Sequence, residues 1–506
     1  MAPGAAVGYD PLMRSPPLAC AVLAALLAAC AAPSAFRCPA QGGPPWRELS
    51  TDHLVLRTDL PAREASALAG RLERMRVAVG AALFEGAPPA PGQVEVIAFR
   101  TAEEYRPFAP EGAAGYYLRY AGGPPRIVLS GALQPWQRAL LAHELTHHFL
   151  ASVFHRQPRW LAEGLAVYME SLGDDAPGSA AVTVGAPPPA RLDRARTRPV
   201  PVRELLAWDG GPGLRPALDY YAASWVLVHW LAHRRPAAFA ELQRRLAAGA
   251  EPAAAWRAAL PEHDPDVPGA LEALDDVLAE YVRAPIETQR RMVEVPIAVG
   301  YFERPVPPAE IHAIRLVLWQ HGPDKGRAAL EREVAEALGE DAAHPIALQF
   351  RAALDGTDPA PLARAAVAAH PDDPRAWTFL ATALPSPDDA AAREAAYRRA
   401  AELAPRNAAA VHNLAAELLA QGRSGEALPH ARRAVKLAPW SPPVLAAYAA
   451  VLSDLGQCAA ALAAQRRAME ALPERASAES RAELAAGLGA YKAQCRTGLR
   501  AAGGAP

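Results

Sequence analysis

The sequence predicts an α+β N-terminal part, a mostly helical middle part and an all-α repeat solenoid at the C-terminal end. Three observations support this fold class. Segments with alternating apolar residues occur before residue 131, nearly every stretch from Gln137 onward has helical periodicity, and four prolines recur at equal intervals of 34 residues. Of the 506 residues 51% are apolar, so the chain can build several hydrophobic cores.

The charge balance argues against a nucleic-acid partner. The chain has 52 Lys and Arg residues against 54 Asp and Glu residues, which gives a formal net charge of −2 and a pI near 6.7. Such a chain has no strongly basic field that would attract a polyanion. We therefore expect partners other than nucleic acid.

The first thirty residues have the features of an export signal. Arg14 precedes an apolar run from Leu18 to Ala29, which has the length of a signal-peptide core and is too short to span a membrane. The run ends in Leu27-Ala28-Ala29-Cys30, which resembles the bacterial lipobox, and this resemblance implies that Cys30 becomes lipidated after cleavage. We predict a lipoprotein-type signal peptide over residues 1–29.

This signal predicts an exported protein, a lipoprotein of the periplasm or cell envelope. Ordinary cleavage at a nearby small residue is the alternative, and it would leave a soluble secreted protein. No later run reaches about 18 apolar residues without a charge. Contact with a membrane is therefore expected only through the N-terminal lipid anchor.

A proline- and glycine-rich segment, residues 30–46, follows the signal and predicts a tether. After it, His53–Arg57 and Val94–Phe99 alternate like strands on either side of a helical stretch from Ala62 to Leu83. Arg126–Ser130 follows a Gly-Gly-Pro-Pro turn and is a third candidate strand.

The chemical signal of the sequence is the segment His143-Glu144-Leu145-Thr146-His147, within the helical run that begins near Gln137. His143 and His147 are one helical turn apart, so both imidazoles can reach one metal ion. Glu144 is turned about 100° from that line, close enough to take a proton from a water at the metal without being a ligand. The spacing predicts a metal site on this helix.

The residues that follow narrow the choice of a third ligand. A metzincin pattern would need Gly at position 150 and His at position 153, but the chain has Leu150 and Val153 there. His155 has no supporting pattern and remains an alternative. Residues 158–166, which read PRWLAEGLA, begin after a proline-containing loop, and Glu163 can face back from a second helix onto the first.

This stretch resembles the gluzincins, the zinc peptidases with a His, His, Glu ligand set that include thermolysin and the aminopeptidases. Residues 160–166, WLAEGLA, are close to the third-ligand motif of the aminopeptidases, Trp-Leu-Asn-Glu-Gly-Phe-Ala. The resemblance implies that His143, His147 and Glu163 bind one catalytic zinc ion and that Glu144 is the general base.

Weaker similarities extend the resemblance to about residues 47–285, which implies a mostly helical zincin catalytic domain, a gluzincin-like metallopeptidase. Arg126–Ser130 resembles the edge strand of the family, which could hold an extended peptide. Residues 219–227, DYYAASWVL, resemble the helix that carries a catalytic tyrosine. The resemblance places Tyr220 there as donor to the oxyanion, with Tyr221 as fallback and a plain core aromatic as the competing interpretation.

One aminopeptidase motif is missing from the sequence. The Gly-Ala-Met-Glu-Asn element, which grips the free amine of a substrate, does not occur. This difference favours an endopeptidase, either general or very selective, over an exopeptidase.

The C-terminal part contains an internal repeat that resembles the tetratricopeptide repeat (TPR), a 34-residue helix pair. The prolines that stand 34 residues apart are Pro371, Pro405, Pro439 and Pro473. The resemblance implies an all-α TPR solenoid, whose groove would bind a protein or peptide partner. We expect a helical linker and repeats over residues 286–500, clearest over 371–473, with a degenerate earlier unit over 308–345.

Two cysteines near the C-terminal end are candidates for a disulfide. An exported chain folds in an oxidising compartment, where Cys458 and Cys495 could join neighbouring helices. Two buried free thiols are the alternative.

The sequence as a whole predicts an exported zinc-dependent metallopeptidase that hydrolyses peptide bonds, with TPR repeats that bind a protein partner or the substrate. The alternative is a non-catalytic periplasmic TPR scaffold lipoprotein that keeps a relic peptidase fold. The intact set of two histidines and two glutamates favours the enzyme, because a relic usually loses one member of the set.

Overall fold

The structure is a computed structural model of the chain. It describes residues 36–83, 93–109, 115–118, 124–131, 135–154, 156–174, 181–209, 215–286, 288–292, 299–321, 326–472 and 476–502. The predicted signal peptide, Cys30 and the first residues of the predicted tether lie outside the described residues, as do His155 and Pro473.

Nine strands of the described residues form two sheets. They are β1 (Arg47–Ser50), β2 (Leu54–Thr58), β3 (Val94–Phe99), β4 (Gly115–Leu118), β5 (Arg126–Ser130), β6 (Gly173–Asp174), β7 (Ala181–Val184), β8 (Gln289–Met292) and β9 (Phe302–Pro305). The larger sheet has the order β4-β5-β3-β2-β1-β9, and β6, β7 and β8 form a small antiparallel sheet. In the larger sheet β2, β3 and β5 run parallel, and the other pairs are antiparallel.

Helices make up most of the remaining described residues. Before the repeat they are α1 (Ala62–Leu83), α2 (Ala102–Tyr105), α3 (Pro135–Val153), α4 (Arg159–Met169), α5 (Pro189–Thr197), α6 (Val202–Ala207), α7 (Ala217–Arg234), α8 (Pro236–Ala247), α9 (Pro252–Ala259) and α10 (Ala270–Tyr281). From residue 308 they are α11 (Pro308–His321), α12 (Arg327–Glu340), α13 (Pro345–Asp355), α14 (Pro359–Ala369), α15 (Pro374–Thr382), α16 (Ala390–Leu403), α17 (Ala408–Ala420), α18 (Ser424–Leu437), α19 (Pro442–Asp454), α20 (Cys458–Glu470) and α21 (Ala478–Ala502). No helix in this described part combines the length and apolar character that a membrane span requires.

The larger sheet has two different faces, because side chains alternate along each strand. On one face Leu56 and Val96 belong to the core that also contains Leu145 of α3. On the other face Ile97 packs in a second core with Ile311 of α11, the first helix of the repeat region. The sheet is therefore held between the helical middle part and the repeat region.

A row of alternating charges crosses the second face of the sheet. Its members are Arg304, Glu48, Arg57, Glu95 and Arg126, on the adjacent strands β9, β1, β2, β3 and β5. Glu48 lies 2.8 Å from both Arg304 and Arg57, and Glu95 pairs with Arg57 and, at 2.5 Å, with Arg126. Burial disfavours the charged form of Glu95, but Arg126 and Arg57 outweigh it and lower its pKa. The buried charges of this face are thus paired with one another.

The prediction that Arg126–Ser130 is an edge strand is wrong. This strand, β5, is internal, because β4 pairs with it antiparallel and Tyr116 lies opposite Val128. β4 has four residues with no clear alternation of apolar and polar side chains, so its pattern does not distinguish it as a strand. The edge of the sheet is β4.

The domain predicted over residues 47–285 also includes two segments that lie outside these bounds. β9 lies in the predicted helical linker but pairs with β1 at the other edge of the sheet. The described part of the predicted tether, residues 36–46, packs onto the fold, since Cys38 and Trp46 are buried. This part is not a free tether, because its apolar side chains pack into the core of the fold.

The repeat prediction is confirmed by regular helix pairs. The first helices of three successive pairs (α15, α17 and α19) begin 34 residues apart, and so do the second helices (α16, α18 and α20). The turns inside two pairs place Gly422 and Gly456 at φ of 73° and 71°, a left-handed conformation that glycine adopts without strain. Ala427 and Ala461 are fully buried where the paired helices cross.

Additional helices extend the solenoid at both ends. α11 with α12 and α13 with α14 form two earlier pairs, and the first of them covers most of the predicted degenerate unit. At the C-terminal end a disulfide between Cys458 and Cys495 joins α20 to α21, with the two Cα atoms 5.7 Å apart. In the structure these two cysteines are therefore bonded to each other.

Candidate metal centre

Two packed helices, α3 and α4, bring the predicted ligands together. Leu141, Leu145 and Phe149 bury one side of α3 in the main core, and this packing fixes the direction of the histidines on the same helix. α4 begins after Pro158, and all its residues from Trp160 to Met169 are buried. Glu163 therefore enters the centre from a fully packed helix.

The structure brings His143, His147 and Glu163 into one cluster. The two imidazole Nε2 atoms are 3.2 Å apart. Glu163 Oε2 lies 3.4 Å from Nε2 of His143 and 3.5 Å from Nε2 of His147. The Glu163 side chain is only 2% exposed, whereas His143 keeps 13% exposure, so the cluster has a buried side and an accessible side.

The three donor atoms fit a zinc ion. Zinc binds nitrogen and oxygen at roughly 2.0–2.1 Å with tetrahedral geometry, which places neighbouring donors roughly 3.3–3.4 Å apart. The observed separations of 3.2, 3.4 and 3.5 Å bracket that distance. Glu163 Oε2 is buried and makes no hydrogen bond, although it faces both imidazole nitrogens. A cation between the three donors would neutralise this buried carboxylate oxygen.

The charges of the cluster favour a cation at its centre. Burial opposes protonation of His143, but the nearby carboxylates of Glu163 and Glu170 outweigh it and raise its pKa to about 10. Burial also opposes ionisation of Glu163, yet His147, His143 and Arg159 keep its pKa well below the usual range. The pKa of His147 is lowered, mainly by burial. The Glu163 carboxylate therefore lies against both imidazole nitrogens, where its negative charge attracts a cation.

Glu144, the predicted general base, is half-buried on α3 beside the cluster. Its negative charge acts on both His143 and His147 and favours a higher pKa for each, so it lies near both imidazoles. The adjacent position on the helix turns it away from the ligand line. Glu144 is thus beside the cluster and is not one of its three donors, and its role as general base stays a prediction.

Two residues that the sequence analysis did not single out hold the ligands in position. Glu170 Oε1 lies 3.0 Å from Nδ1 of His143, opposite the nitrogen that faces the cluster. Arg159 pairs with Oε1 of Glu163 at 2.7 Å, which leaves Oε2 directed at the histidines. They stand seven residues after and four residues before Glu163, on the same side of a helix. This spacing was the signal that could have revealed them.

Tyr220, the predicted oxyanion donor, lies on α7 with its hydroxyl donating to Glu204 at 2.6 Å. Its ring stacks on Trp208 at 4.8 Å, and Trp208 in turn lies under the guanidinium of Arg159 at 5.8 Å. Tyr221, the fallback, lies under Arg191 at 5.5 Å. Tyr220 is thus connected to the cluster by way of Trp208 and Arg159, and its catalytic role stays a prediction.

A large cavity lies apart from this cluster. It has a volume of about 1630 Å³ and lies between the charged face of the sheet and the first helices of the repeat pairs. Arg57, Glu310, Arg375 and Trp440 are among its lining residues. His143, His147 and Glu163 form a local cluster of donor atoms instead. Coordination depends on donors within about 2 Å of an ion and not on the size of a cavity.

No protein-family model matches this sequence, and no curated protein matches it. Solved structures that are similar to part of the chain include two TPR proteins and PilF, all at low identity. TTC0263, a thermophilic TPR protein of Thermus thermophilus, is 18% identical over 36% of this chain and 98% of its own, with a TM-score of 0.29. YrrB, a TPR protein with an unusual peptide-binding site, is 18% identical over 36% of this chain and 92% of its own, with a TM-score of 0.27. Pseudomonas aeruginosa PilF is 15% identical over 37% of this chain and 90% of its own, with a TM-score of 0.29.

Proposed function

We propose that the chain is a zinc-dependent peptidase whose repeat binds a protein or peptide. The observation that carries this proposal is the triangle of donor atoms from His143, His147 and Glu163, with sides of 3.2–3.5 Å. Three protein ligands leave a fourth tetrahedral position open, as catalytic zinc sites do and structural sites do not.

Each residue of the centre has a separate task in peptide hydrolysis. A bound zinc ion supplies Lewis acidity, which polarises a substrate carbonyl and lowers the pKa of a water. Glu144 accepts the proton of the attacking water and passes it to the leaving amine. Glu170 orients His143 through Nδ1, and Arg159 holds one oxygen of Glu163 so that the other is free for the ion. Tyr220 is the proposed donor to the oxyanion, for which its hydroxyl has to leave Glu204.

The repeat supplies the binding part of this function. Stacked helix pairs form an extended concave surface that suits a polypeptide. We propose an endopeptidase that is exported and anchored through a lipid on Cys30, with the repeat recruiting a substrate or a partner protein. The alternative location is that of a soluble secreted protein.

A non-catalytic scaffold is the second candidate function, and it has the wider structural support. It needs only the helix pairs, which the structure forms within residues 308–321 and 326–470, whereas the peptidase needs the ligand cluster and a base as well. The Tyr220 hydroxyl, bonded to Glu204, also fits a scaffold without further change. Metal binding and hydrolysis decide between the two candidates.

The experiment compares two glutamates with different tasks. Glu144→Gln keeps the size of the side chain, so the protein should still bind near one zinc per chain, while peptide hydrolysis falls by about 10² or more. Glu163→Ala removes a charged ligand, so zinc binding should weaken strongly and activity should return in part at high zinc. Elemental analysis and cleavage of a peptide library measure both quantities.

Two outcomes would change this proposal. Purified protein with neither zinc nor chelator-sensitive cleavage would reject the peptidase and leave the scaffold. Full zinc occupancy in Glu163→Ala would show that another residue is the third ligand, and His155 is the first to test. A matched control is Glu426→Gln, in a surface ion pair of the repeat, which should change neither zinc content nor hydrolysis.

A further inference from the structure

We infer that the repeat is a structural part of the metal centre, with Trp440 and Glu470 as positioning residues for the segment that carries the three ligands. This inference rests on the proposed metal site but not on peptide hydrolysis. Both residues belong to the repeat: Trp440 connects α18 to α19, and Glu470 ends α20. Neither residue touches the metal in this proposal, since each acts through α3 or through the connection from α3 to α4.

The first contact joins the repeat to the metal-binding helix. The indole of Trp440 lies 4.5 Å from the imidazole of His148, measured between ring centroids, with the planes tilted by 50°. Both residues are buried, at 5% and 3% exposure. His148 directly follows the ligand His147 on α3, so a shift of this ring contact turns or displaces the helix at the ligand itself.

The second contact joins the repeat to the connection between the two ligand helices. Arg156 lies between α3 and α4, and its guanidinium pairs with Glu470 at 2.5 Å and with Glu251, just before α9, at 2.7 Å. Arg466 of α20 lies 3.2 Å from Glu251 and extends the same network. The Arg156 side chain is only 13% exposed, so this is a partly buried network and not a pair of mobile surface charges.

The two contacts lie on either side of the end of α3. Trp440 holds His148 inside the helix, and Glu470 holds Arg156 three residues beyond Val153, where the helix ends. Metal affinity depends on donor positions held within about 0.5 Å, and Glu163 reaches the histidines from α4, on the far side of this connection. Fixing the connection therefore fixes how α4 lies against α3, and with it the distance from Glu163 to both histidines.

The test measures zinc affinity by competition with a chelating indicator. Trp440→Ala should weaken zinc binding about 10- to 100-fold, the range typical for residues that support metal ligands. Trp440→Phe keeps an aromatic ring against His148 and should stay within a few-fold of the wild type. Glu470→Gln should weaken binding about tenfold, because Arg156 then keeps only Glu251 as an anionic partner in this network.

The same variants are loaded with cobalt(II), whose visible absorption reports the coordination geometry. Trp440→Ala should show weakened or shifted bands, which a general loss of stability in the folded protein would not produce. The matched control is Trp377→Ala in α15, where the indole donates to the Pro371 carbonyl inside the repeat. This control should bind zinc with wild-type affinity and give the wild-type cobalt spectrum.

Amide hydrogen exchange over residues 143–163 in the metal-free protein provides a second measure. Faster exchange there in Trp440→Ala than in Trp377→Ala supports the positioning role of Trp440, whereas a wild type that takes up no zinc overturns the proposed metal site itself. Unchanged zinc affinity, cobalt spectrum and exchange in both Trp440→Ala and Glu470→Gln would overturn it, as would an equal loss in the Trp377→Ala control. If the wild type binds zinc but cleaves no peptide, the proposed peptidase activity is rejected. The positioning role of Trp440 and Glu470 is then still testable, because their effect on zinc affinity can still be measured.

Discussion

Gly164 of α4 lies directly against the backbone of Ser224 in α7. A Cβ atom built on Gly164 would be 2.5 Å from the Ser224 carbonyl oxygen and 2.5 Å from a methyl of Val228. Only glycine lets two helix backbones come so close without displacement. The glycine after Glu163 is therefore explained by packing, because it sets how closely α4 lies against α7.

Gly164→Ala should destabilise the protein and disturb the metal centre. The added methyl cannot be accommodated without moving α4, so the free energy of unfolding should fall by about 1–3 kcal/mol and zinc affinity should fall with it. Denaturant unfolding and zinc competition measure the two effects. The matched control is Gly70→Ala in α1, where the nearest atom is the flexible end of Arg74 at 3.4 Å. If both variants behave alike, the close approach of α4 and α7 has no energetic importance.

Glu170→Ala should weaken zinc binding by about 10- to 100-fold. The carboxylate fixes the ring of His143 through Nδ1, and removing such a partner frees the ligand to rotate. Competition with a chelating indicator measures the zinc affinity, beside Asp193→Ala on the exposed side of α5 as control. Wild-type affinity in Glu170→Ala would mean that packing alone orients His143.

Asp59 should make the stability depend on pH. Burial, with a contribution from Glu104, raises the pKa of Asp59 from its ordinary 3.8 to about 7. Between about pH 4 and pH 7 the folded protein keeps a proton that the unfolded chain releases. The favourable contribution is complete below pH 4 and is lost as the pH rises through 7.

Asp59→Asn should remove this pH dependence. At pH 8 the variant should be more stable than the wild type, by up to about 4 kcal/mol, the free-energy equivalent of a shift of about three pKa units. Chemical unfolding at pH 5, 6, 7 and 8 gives the slope for each protein, with the exposed Asp52→Asn as control. Parallel pH profiles for the wild type and Asp59→Asn would contradict the assignment.

The disulfide between Cys458 and Cys495 should stabilise the end of the repeat. The two residues are 37 apart in sequence, and closing a loop of this length lowers the entropy of the unfolded chain by the equivalent of about 3–4 kcal/mol. The double variant Cys458→Ala/Cys495→Ala should lose that amount in denaturant unfolding. Mass spectrometry of unreduced, alkylated protein is the direct check, and two modified thiols would show that the bond does not form.

Cys30→Ser should release the protein from the membrane fraction of expressing cells. The substitution removes the thiol that the lipobox resemblance assigns to lipidation. Cell fractionation and detection with an antibody compare the variant with the wild type, and Cys38→Ser serves as control. A wild type found only in the soluble fraction would favour the secreted alternative.

The ligand cluster and the repeat were accessible from sequence because both depend on local spacing. A helix fixes the distance between His143 and His147, and the 34-residue period fixes the length of each helix pair. Local spacing alone did not identify Glu163, because it lies on a second helix. The resemblance to the gluzincin motif was needed to assign it to the cluster. The structure brings its carboxylate within 3.5 Å of both histidines.

The features that sequence reasoning missed depend on residues far apart in the chain. Trp440 meets His148 across almost three hundred residues, and no period or motif connects the two. Glu204 accepts a hydrogen bond from Tyr220, 16 residues away in sequence. This contact depends on the packing of α6 near α7. Arg393 of α16 binds Glu417 and two loop carbonyls, which are partners that the 34-residue period does not predict. Such contacts depend on long-range packing, and no motif or period in a single sequence predicts them.

The pairing of β1 with β9 has a consequence for the order in which the chain folds. Arg47 and Glu303, which form an ion pair on these strands, are 256 residues apart. A ribosome has to synthesise the whole middle part before the sheet can gain its last strand, and contacts this distant form slowly. Until then β1 is an open edge, able to pair with a second chain.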